Sequence, residues 1–488
     1  MDTLELDRTL AAGARDRTLD RLRAALPPAN FAAALRCAGR LLGDLPDPAL
    51  PGNVVMVAFG GGKDSAYTVT FVRTVQLILH RLHGSTFRLR VVTMRHAGMP
   101  PAVMANIDRV YAALDLHADP DCELLVVDGD EVRPFAVDLP LPPAVAAANR
   151  LDILMSGHRT GADGRPTFCN ACNFSVANAF GLAASFGGGA DLIITGDSAN
   201  EQRQYSMWIG RLSRTLSPGA QPRQASHIGR VLSQVDRIGQ RYFADIHGES
   251  ETGTLAARRV NSSIPERTRF FSIYADTAYE AGDHLELLTG FLGFEFDDIA
   301  FSFTESDCGN PALMAHLRAL KVEYVYGRNY AEGLAEYVSF ALDLMRRKEI
   351  PEQLIALMAE RYADPDRMRK VAAAYAWDTF EFTQENLVCM AYAPFVNAGA
   401  NLEVYLDREQ PGLPARSAHE VLAGYDEPFV TYELERMAGM PLERLRILYG
   451  RSGTEVIDAV LADDPHKAVI DTRHSPDGPA TLEQISGR

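Results

Sequence analysis

Three stretches of the chain predict an α/β fold built on a parallel sheet, with a helical cap ahead of it and a helical region behind. The first is Val54 to Phe59, an apolar run that breaks at Gly60-Gly61-Gly62 into a segment of helical period. The second and third are Phe87 to Met94 and Cys122 to Val127, strand-length runs rich in valine and leucine, each separated from its predecessor by a helical pattern. Apolar runs without alternation mark strands buried on both faces, and strands alternating with helices build one parallel sheet by right-handed crossovers. On this reading the chain divides into a helical segment over 1–50, an α/β domain over 51–330, a helical domain over 331–462 and a loosely ordered tail over 463–488.

The elements follow in order. Leu19, Leu22 and Leu26, then Phe31, Leu35, Leu41 and Leu42 beyond Pro27-Pro28, read as two packed helices of the cap. After the glycines, Ala66, Val69, Val72, Val75, Leu79 and Leu82 form the core stripe of a helix. A loop over 95–101 leads to a helix carrying Val103, Ile107, Val110, Tyr111 and Leu114. Residues 128–168, with Pro134, Pro140, Pro142 and Pro143, read as a long insertion, and such insertions in compact domains are usually functional or mobile. Cys169 and Cys172 follow, ahead of a helix with Val176, Phe180, Leu182, Ala183 and Phe186. A fourth strand over 190–195 opens into the polar loop Gly196-Asp197-Ser198-Ala199-Asn200-Glu201. Phe270 to Ala275 and Ile299 to Phe303 are expected as further strands, and Glu323 to Tyr326 as a short one after a helix over 312–320. From about residue 331 the spacing of Leu334, Tyr337, Ala341 and Leu344 turns helical, and Ile350-Pro351 starts another helix.

Composition sets the class. A chain of 488 residues with 47% hydrophobic and 23% charged side chains has the balance of a soluble protein with more than one domain. The N-terminus lacks a basic, apolar leader and no apolar run reaches bilayer length, so the expected setting is the cytoplasm, without membrane association. Six cysteines are too few for a disulfide scaffold at this size, and the Cys169-x-x-Cys172 pair points to metal or redox chemistry. Cys37, Cys122 and Cys389 read as core residues. A formal net charge of −16 opposes nucleic-acid binding, which draws on a basic surface, although arginines between Arg203 and Arg241 leave one basic face open. A small-molecule or carrier-bound acceptor is therefore favoured over tRNA, and a homodimer remains open.

The glycine loop points to anion binding. Glycines let backbone N–H groups approach a phosphate, and the helix start adds unpaired donors and the positive end of the helix dipole. Lys63 can neutralise an oxyanion there and Ser65 can donate to one. The spacing matches neither a Walker loop nor the Gly-x-Gly-x-x-Gly of dinucleotide folds. It resembles the PP-loop of the ATP pyrophosphatases, Ser-Gly-Gly-x-Asp-Ser after the first strand. Gly61, Gly62, Lys63, Asp64 and Ser65 match, while Gly60 replaces the leading serine and removes one hydroxyl contact to phosphate.

The resemblance implies an adenine nucleotide alpha hydrolase-like, Rossmann-like domain. It implies ATP on the loop, adenine against the end of the second strand at Thr93, Met94 and Arg95 with His96 beside it, and Mg²⁺ held by Asp64 and Asp197 with Glu201 behind. The order Cys-x-x-Cys, helix, strand, Gly196 loop is closest to the sulfur-transferring, tRNA-thiolation branch over roughly residues 50–310, with Asp197, Asn200 and Glu201 in place of that branch's His, Asp and Asp. Cys308 is the candidate for its third cysteine. Cys169, Cys172 and Cys308 are expected to hold a 4Fe–4S iron–sulfur cluster, to relay a persulfide from a sulfur-donor protein, or to bind zinc with a fourth ligand. The implied activity is adenylation of a substrate oxygen with release of pyrophosphate, followed by sulfur transfer to a thiocarbonyl product, with Lys63, Asp64 and Cys308 as catalytic residues. An AMP-forming amide ligase with structural zinc is the alternative, and a nucleotide sensor without turnover the third reading.

Overall fold

The computed structural model describes residues 3–196, 199–216, 227–277, 285–297, 299, 310–347, 350–462, 469–471 and 483–485. Two helices, α1 (Thr3–Ala25) and α2 (Pro28–Asp44), precede the strand β1 (Val54–Ala58). The chain then runs α3 (Lys63–His83), β2 (Arg88–Arg95), α4 (Pro101–Ala113), β3 (Cys122–Asp128), β4 (Glu131–Pro134), α5 (Pro143–Thr160), α6 (Gly164–Ser185) and β5 (Leu192–Ile194). After it come α7 (Ala199–Leu216), α8 (His227–His247), α9 (Thr252–Ala256), β6 (Arg269–Phe270), α10 (Pro311–Leu320), α11 (Tyr330–Arg347) and a run of helices from Glu352–Arg361 to Glu455–Leu461.

The six strands form one sheet in the order β4-β3-β2-β1-β5-β6, parallel throughout except for the β3–β4 hairpin. Side chains alternate between its faces as the pleat requires. Val55, Val57, Leu89, Val91, Val126, Leu192 and Ile194 face a core shared with α1 to α4. Met56, Val92, Leu125, Val127 and Ile193 face a second core that takes in α5 to α8, α10 and the C-terminal helices. The helical C-terminal region thus packs into the same core as one face of the sheet.

This ordering creates a switch point. β1 pairs with β2 on one side and β5 on the other. The chain leaves β1 into α3 on the first face, and leaves β5 into α7, whose Trp208, Ile209 and Leu212 lie in the core of the second. Where neighbouring strands send their connections to opposite faces, their carboxyl ends part and leave a crevice for a ligand. Gly60 to Gly62 and Gly196 stand there.

Several elements differ from expectation. Residues 128–168 contain β4 and α5 rather than an unstructured insertion, because Pro143 is the first residue of α5, the position where proline's fixed φ and missing N–H fit a helix. α6 begins at Gly164, so Cys169 and Cys172 lie inside a helix rather than ahead of one. Of Phe270 to Ala275 only Phe270 lies in a strand, the two-residue Arg269–Phe270, and Ile273–Ala275 is a 3-10 turn. Glu323 to Tyr326 is not a strand: Lys321–Val325 is a π-helical turn continuing α10, with Val322 buried and Glu323 paired to Arg369 at 2.8 Å. Tertiary packing there overrides the β-type composition. Leu82 is 67% exposed, because the stripe of α3 outruns the sheet just before the left-handed cap at Gly84. Ile299 is not in a strand, and residues 300–303 lie outside the described set. Within the expected loose tail, Val469–Asp471 pairs antiparallel with Glu483–Ile485.

The cap is tied down by charge. Arg73 of α3, 1% exposed, donates through Nη2 to Asp119 Oδ2 at 2.8 Å, and Arg15 of α1 donates through Nε to the same oxygen at 2.8 Å and through Nη2 to Oδ1. Burial alone would raise the Asp119 carboxyl, but the Arg15 hydrogen bonds and the two guanidinium charges outweigh it and bring the group from 3.8 to about 2. A carboxyl depressed on folding adds stability above its unfolded value and loses it as pH falls through the folded one. The native protein should therefore lose about 2 kcal/mol between pH 4 and pH 2 from this group alone. Asp119→Asn should flatten that acid limb and cost about 3 kcal/mol at neutral pH by leaving buried Arg73 without its carboxylate and Arg15 with Asp121 alone. Urea melts across the pH range would measure both.

Candidate functional site

The carboxyl end of β1 is built to expose backbone. Phe59 N donates to Val92 O at 2.8 Å, and Thr93 Oγ1 donates to Phe59 O at 2.8 Å, so the chain is held in the sheet up to the last residue before the glycines. Gly61 then adopts φ +79°, and a Cβ there would lie 2.5 Å from Val103 Cγ1 of α4. Both the left-handed backbone and the tight approach require glycine. Gly62 caps α3 without any side-chain hydrogen bond, leaving the first turn of a 21-residue helix to present its amides and its positive dipole end. Ser65 Oγ donates to Gly62 O at 3.1 Å and fastens the turn.

Lys63 and Asp64 lie together at the helix start, with Nζ 2.9 Å from Oδ1 and side chains 25% and 54% exposed. An ion pair this open to water contributes little to stability. Gly196 packs close by: a Cβ there would lie 3.6 Å from Thr68 Oγ1, placing the end of β5 over the first turns of α3. Asp197 lies outside the described residues, and Asn200 and Glu201 fall in α7 with side chains that are not described.

At the end of β2 the expected nucleotide contacts are engaged within the protein. Thr93 is fully buried on Phe59 O. Arg95 donates through Nε and Nη2 to the two oxygens of Asp128 at 2.8 and 2.6 Å, and reaches Leu139 O and, at 3.1 Å, Pro140 O. It joins β2 to the loop before α5. His96 is 5% exposed, its Nδ1 accepts from Gly98 N at 3.0 Å, and burial lowers its pKa to about 4. The C-terminal region closes on this loop: Tyr375 OH donates to Gly98 O at 2.6 Å, and Phe380 meets the His96 ring edge-on at 6.3 Å.

Met94, Arg95 and His96 line a cavity of about 280 Å³ at the carboxyl ends of β2 and β3, on the face covered by α5, α6 and α8. Asn149, Asp152 and Asn178 of those helices also line it. None of the three belonged to a recognisable motif. Asp152 is buried and accepts from His247 Nε2 at 2.7 Å and Arg258 Nε at 2.8 Å, which together hold its carboxyl below the usual range despite burial. The glycine-loop residues are not part of the cavity lining.

The cysteines are placed in part. Cys172 is buried on α6, and Cys169, one turn earlier on the same helix, has a side chain that is not described. Cys308 lies outside the described residues. Among the described residues no group of three metal-ligating side chains comes together. Cys37 and Cys389 are buried and Cys122 half-buried, as core residues should be, and burial pushes the thiols of Cys37 and Cys122 up to about 12. No described helix is long and apolar enough to cross a membrane. No protein-family model, curated protein or solved structure matches the chain.

The backbone of the loop yields a direct test. Gly61→Ala must either strain φ or push α4 away, and should destabilise the protein by about 2 kcal/mol. Chemical denaturation measures it, and an unchanged midpoint would mean that the loop is laxer than its packing on Val103.

Proposed function

We propose that this chain is an AMP-forming ATP pyrophosphatase of the PP-loop type. The observation that carries the reading is the Gly60-Gly61-Gly62-Lys63-Asp64-Ser65 turn at the switch point of a parallel sheet, with the amide end of α3 open and Gly196 facing it. An anion is stabilised there by helix amides, and the loop supplies the side chains that nucleotide chemistry needs. In the reaction a substrate oxygen attacks the α-phosphorus of ATP and pyrophosphate leaves. The amides of Gly61, Gly62 and the start of α3 hold the departing phosphates, and Lys63 lowers the cost of the charge that develops on them. The Asp64 carboxylate, half exposed beside this loop, suits a magnesium ion shared with phosphate oxygens, whose contribution is charge neutralisation.

The adenylated substrate is then attacked at carbon by a nucleophile, with AMP as leaving group. We assign sulfur to that role. Cys169 and Cys172 occupy one helix, which feeds directly into β5 and so to the switch point. The first turn of that helix packs on α10, where a Cβ at Gly164 would lie 3.0 Å from Met314, and α10 starts three residues after Cys308. The three thiols are the candidates to hold a 4Fe–4S cluster, which would present a hydrosulfide. The acceptor that fits the acidic chain is a small or carrier-bound molecule.

Asp64→Ala should lower substrate-dependent pyrophosphate release by about a hundredfold, and release at the normal rate would sink the assignment of the loop. Protein purified without oxygen should carry about four irons and four sulfides per chain, with the visible band lost in Cys169→Ala. Cys308→Ala should abolish product while keeping pyrophosphate release. Zinc alone, or full product from Cys308→Ala, would move the nucleophile to an amine.

A further inference from the structure

The cavity at the ends of β2 and β3 has an electrostatic character opposite to that of the glycine loop. Each arginine lining it is matched to an acid: Arg95 to Asp128 at 2.6 Å, Arg258 to Asp152 at 2.7 Å, and Arg259 to Asp236 at 2.6 Å. The acids Asp130 and Glu131 also line it, and Asp130 takes only an amide hydrogen bond, from Asn178 at 2.8 Å. A carboxylate or phosphate entering here would find its cations already neutralised and two acids facing it. Anions are disfavoured on Coulombic grounds.

What the cavity does offer is a pair of neutral donors. His96 Nδ1 accepts the Gly98 amide, so in the neutral ring the proton sits on Nε2, and no described group accepts it. Asn149 Oδ1 accepts Ala97 N at 3.0 Å, which orients the side chain and leaves Nδ2 without a described partner. Both residues are more than nine-tenths buried, at 5% and 9% exposure. Met94, Val145, Phe174 and Phe243 supply apolar walls. Held on buried residues at the cavity wall, these donors gain a partner when a ligand brings an oxygen to them.

We infer that this cavity binds an uncharged molecule through a carbonyl or carboxamide oxygen that accepts from His96 Nε2–H and Asn149 Nδ2–H, its body lying against the wall that Phe174 and Phe243 form together, their rings 5.5 Å apart. Identifying that molecule as the acceptor rests on the adenylation proposed above, whereas the binding itself does not. A volume of about 280 Å³ admits a single small ring system with its substituents.

The test is a titration of the full chain, without nucleotide, with benzamide and its anionic isostere benzoate, read by NMR of histidine-labelled protein. Benzamide should bind and shift the His96 resonance, benzoate should not, and His96→Phe should weaken benzamide about fivefold or more. Ala148→Leu fills the cavity from a wall without removing either donor, and should abolish binding while the thermal midpoint holds, which covers the case in which His96→Phe fails to fold. Benzoate binding as tightly as benzamide, benzamide affinity unchanged in both variants, or no benzamide binding at all would each overturn the inference. Displacement of benzamide by adenosine would overturn the assignment to the acceptor. Because no nucleotide is present, failure here is distinct from any failure of pyrophosphate release at Asp64.

Discussion

The opposite turns taken by the chain at β1 and β5 are the constraint on which the candidate site depends. A continuous parallel sheet whose connections all ran over one face would bury its carboxyl ends beneath successive loops. Here α3 covers one face and α7 the other, so the connections from β1 and β5 separate just beyond the paired Val57 and Ile194. The three glycines are the local response to that separation. They let the backbone cross from the buried strand to the buried helix within a turn so tight that even a methyl group at Gly61 meets Val103. The open amides at the start of α3 follow from the same compactness, because no side chain caps them.

A second dependence runs through the C-terminal helices. Tyr375 and Phe380 press on the loop that carries His96, and the helix Gln384–Tyr392 packs on α5. Residues far apart in the chain thus set the wall of the cavity. Rigidity of this kind is what a binding site needs, since donors such as Asn149 Nδ2 help only when held in place before the ligand arrives.

How far this could be read in the sequence depends on how local each signal is. β1, the glycine loop and α3 are specified by neighbouring residues: a valine run, three glycines and an apolar stripe within about thirty positions. The same holds for β2, α4 and β3. The cavity is different, because Asn149, Asp152 and Asn178 have no spacing that marks them, and they stand on helices reached through a proline-rich stretch. Pro142 and Pro143 read as part of a long insertion, yet they stand at the start of a helix, and only the packing of α5 on the sheet distinguishes the two. His96 was visible as a residue beside the strand end. Its tautomer and its neutral state were not, because they depend on the Gly98 amide and on burial by helices almost three hundred residues away in the chain.

The two regions also divide the electrostatic labour of a chain that carries sixteen more acids than bases. An acidic protein repels polyanions at long range, so any phosphate it binds must be captured at short range by fixed dipoles, which salt screens little. The start of α3 provides such dipoles and places Lys63 beside them. The cavity under β2 and β3 instead matches each of its arginines to an acid, keeps Asp130 and Glu131 in its lining, and offers amide and imidazole as neutral donors. A molecule drawn to one is poorly suited to the other, so on the functions proposed for them an anionic nucleotide and a neutral partner would not compete for the same place.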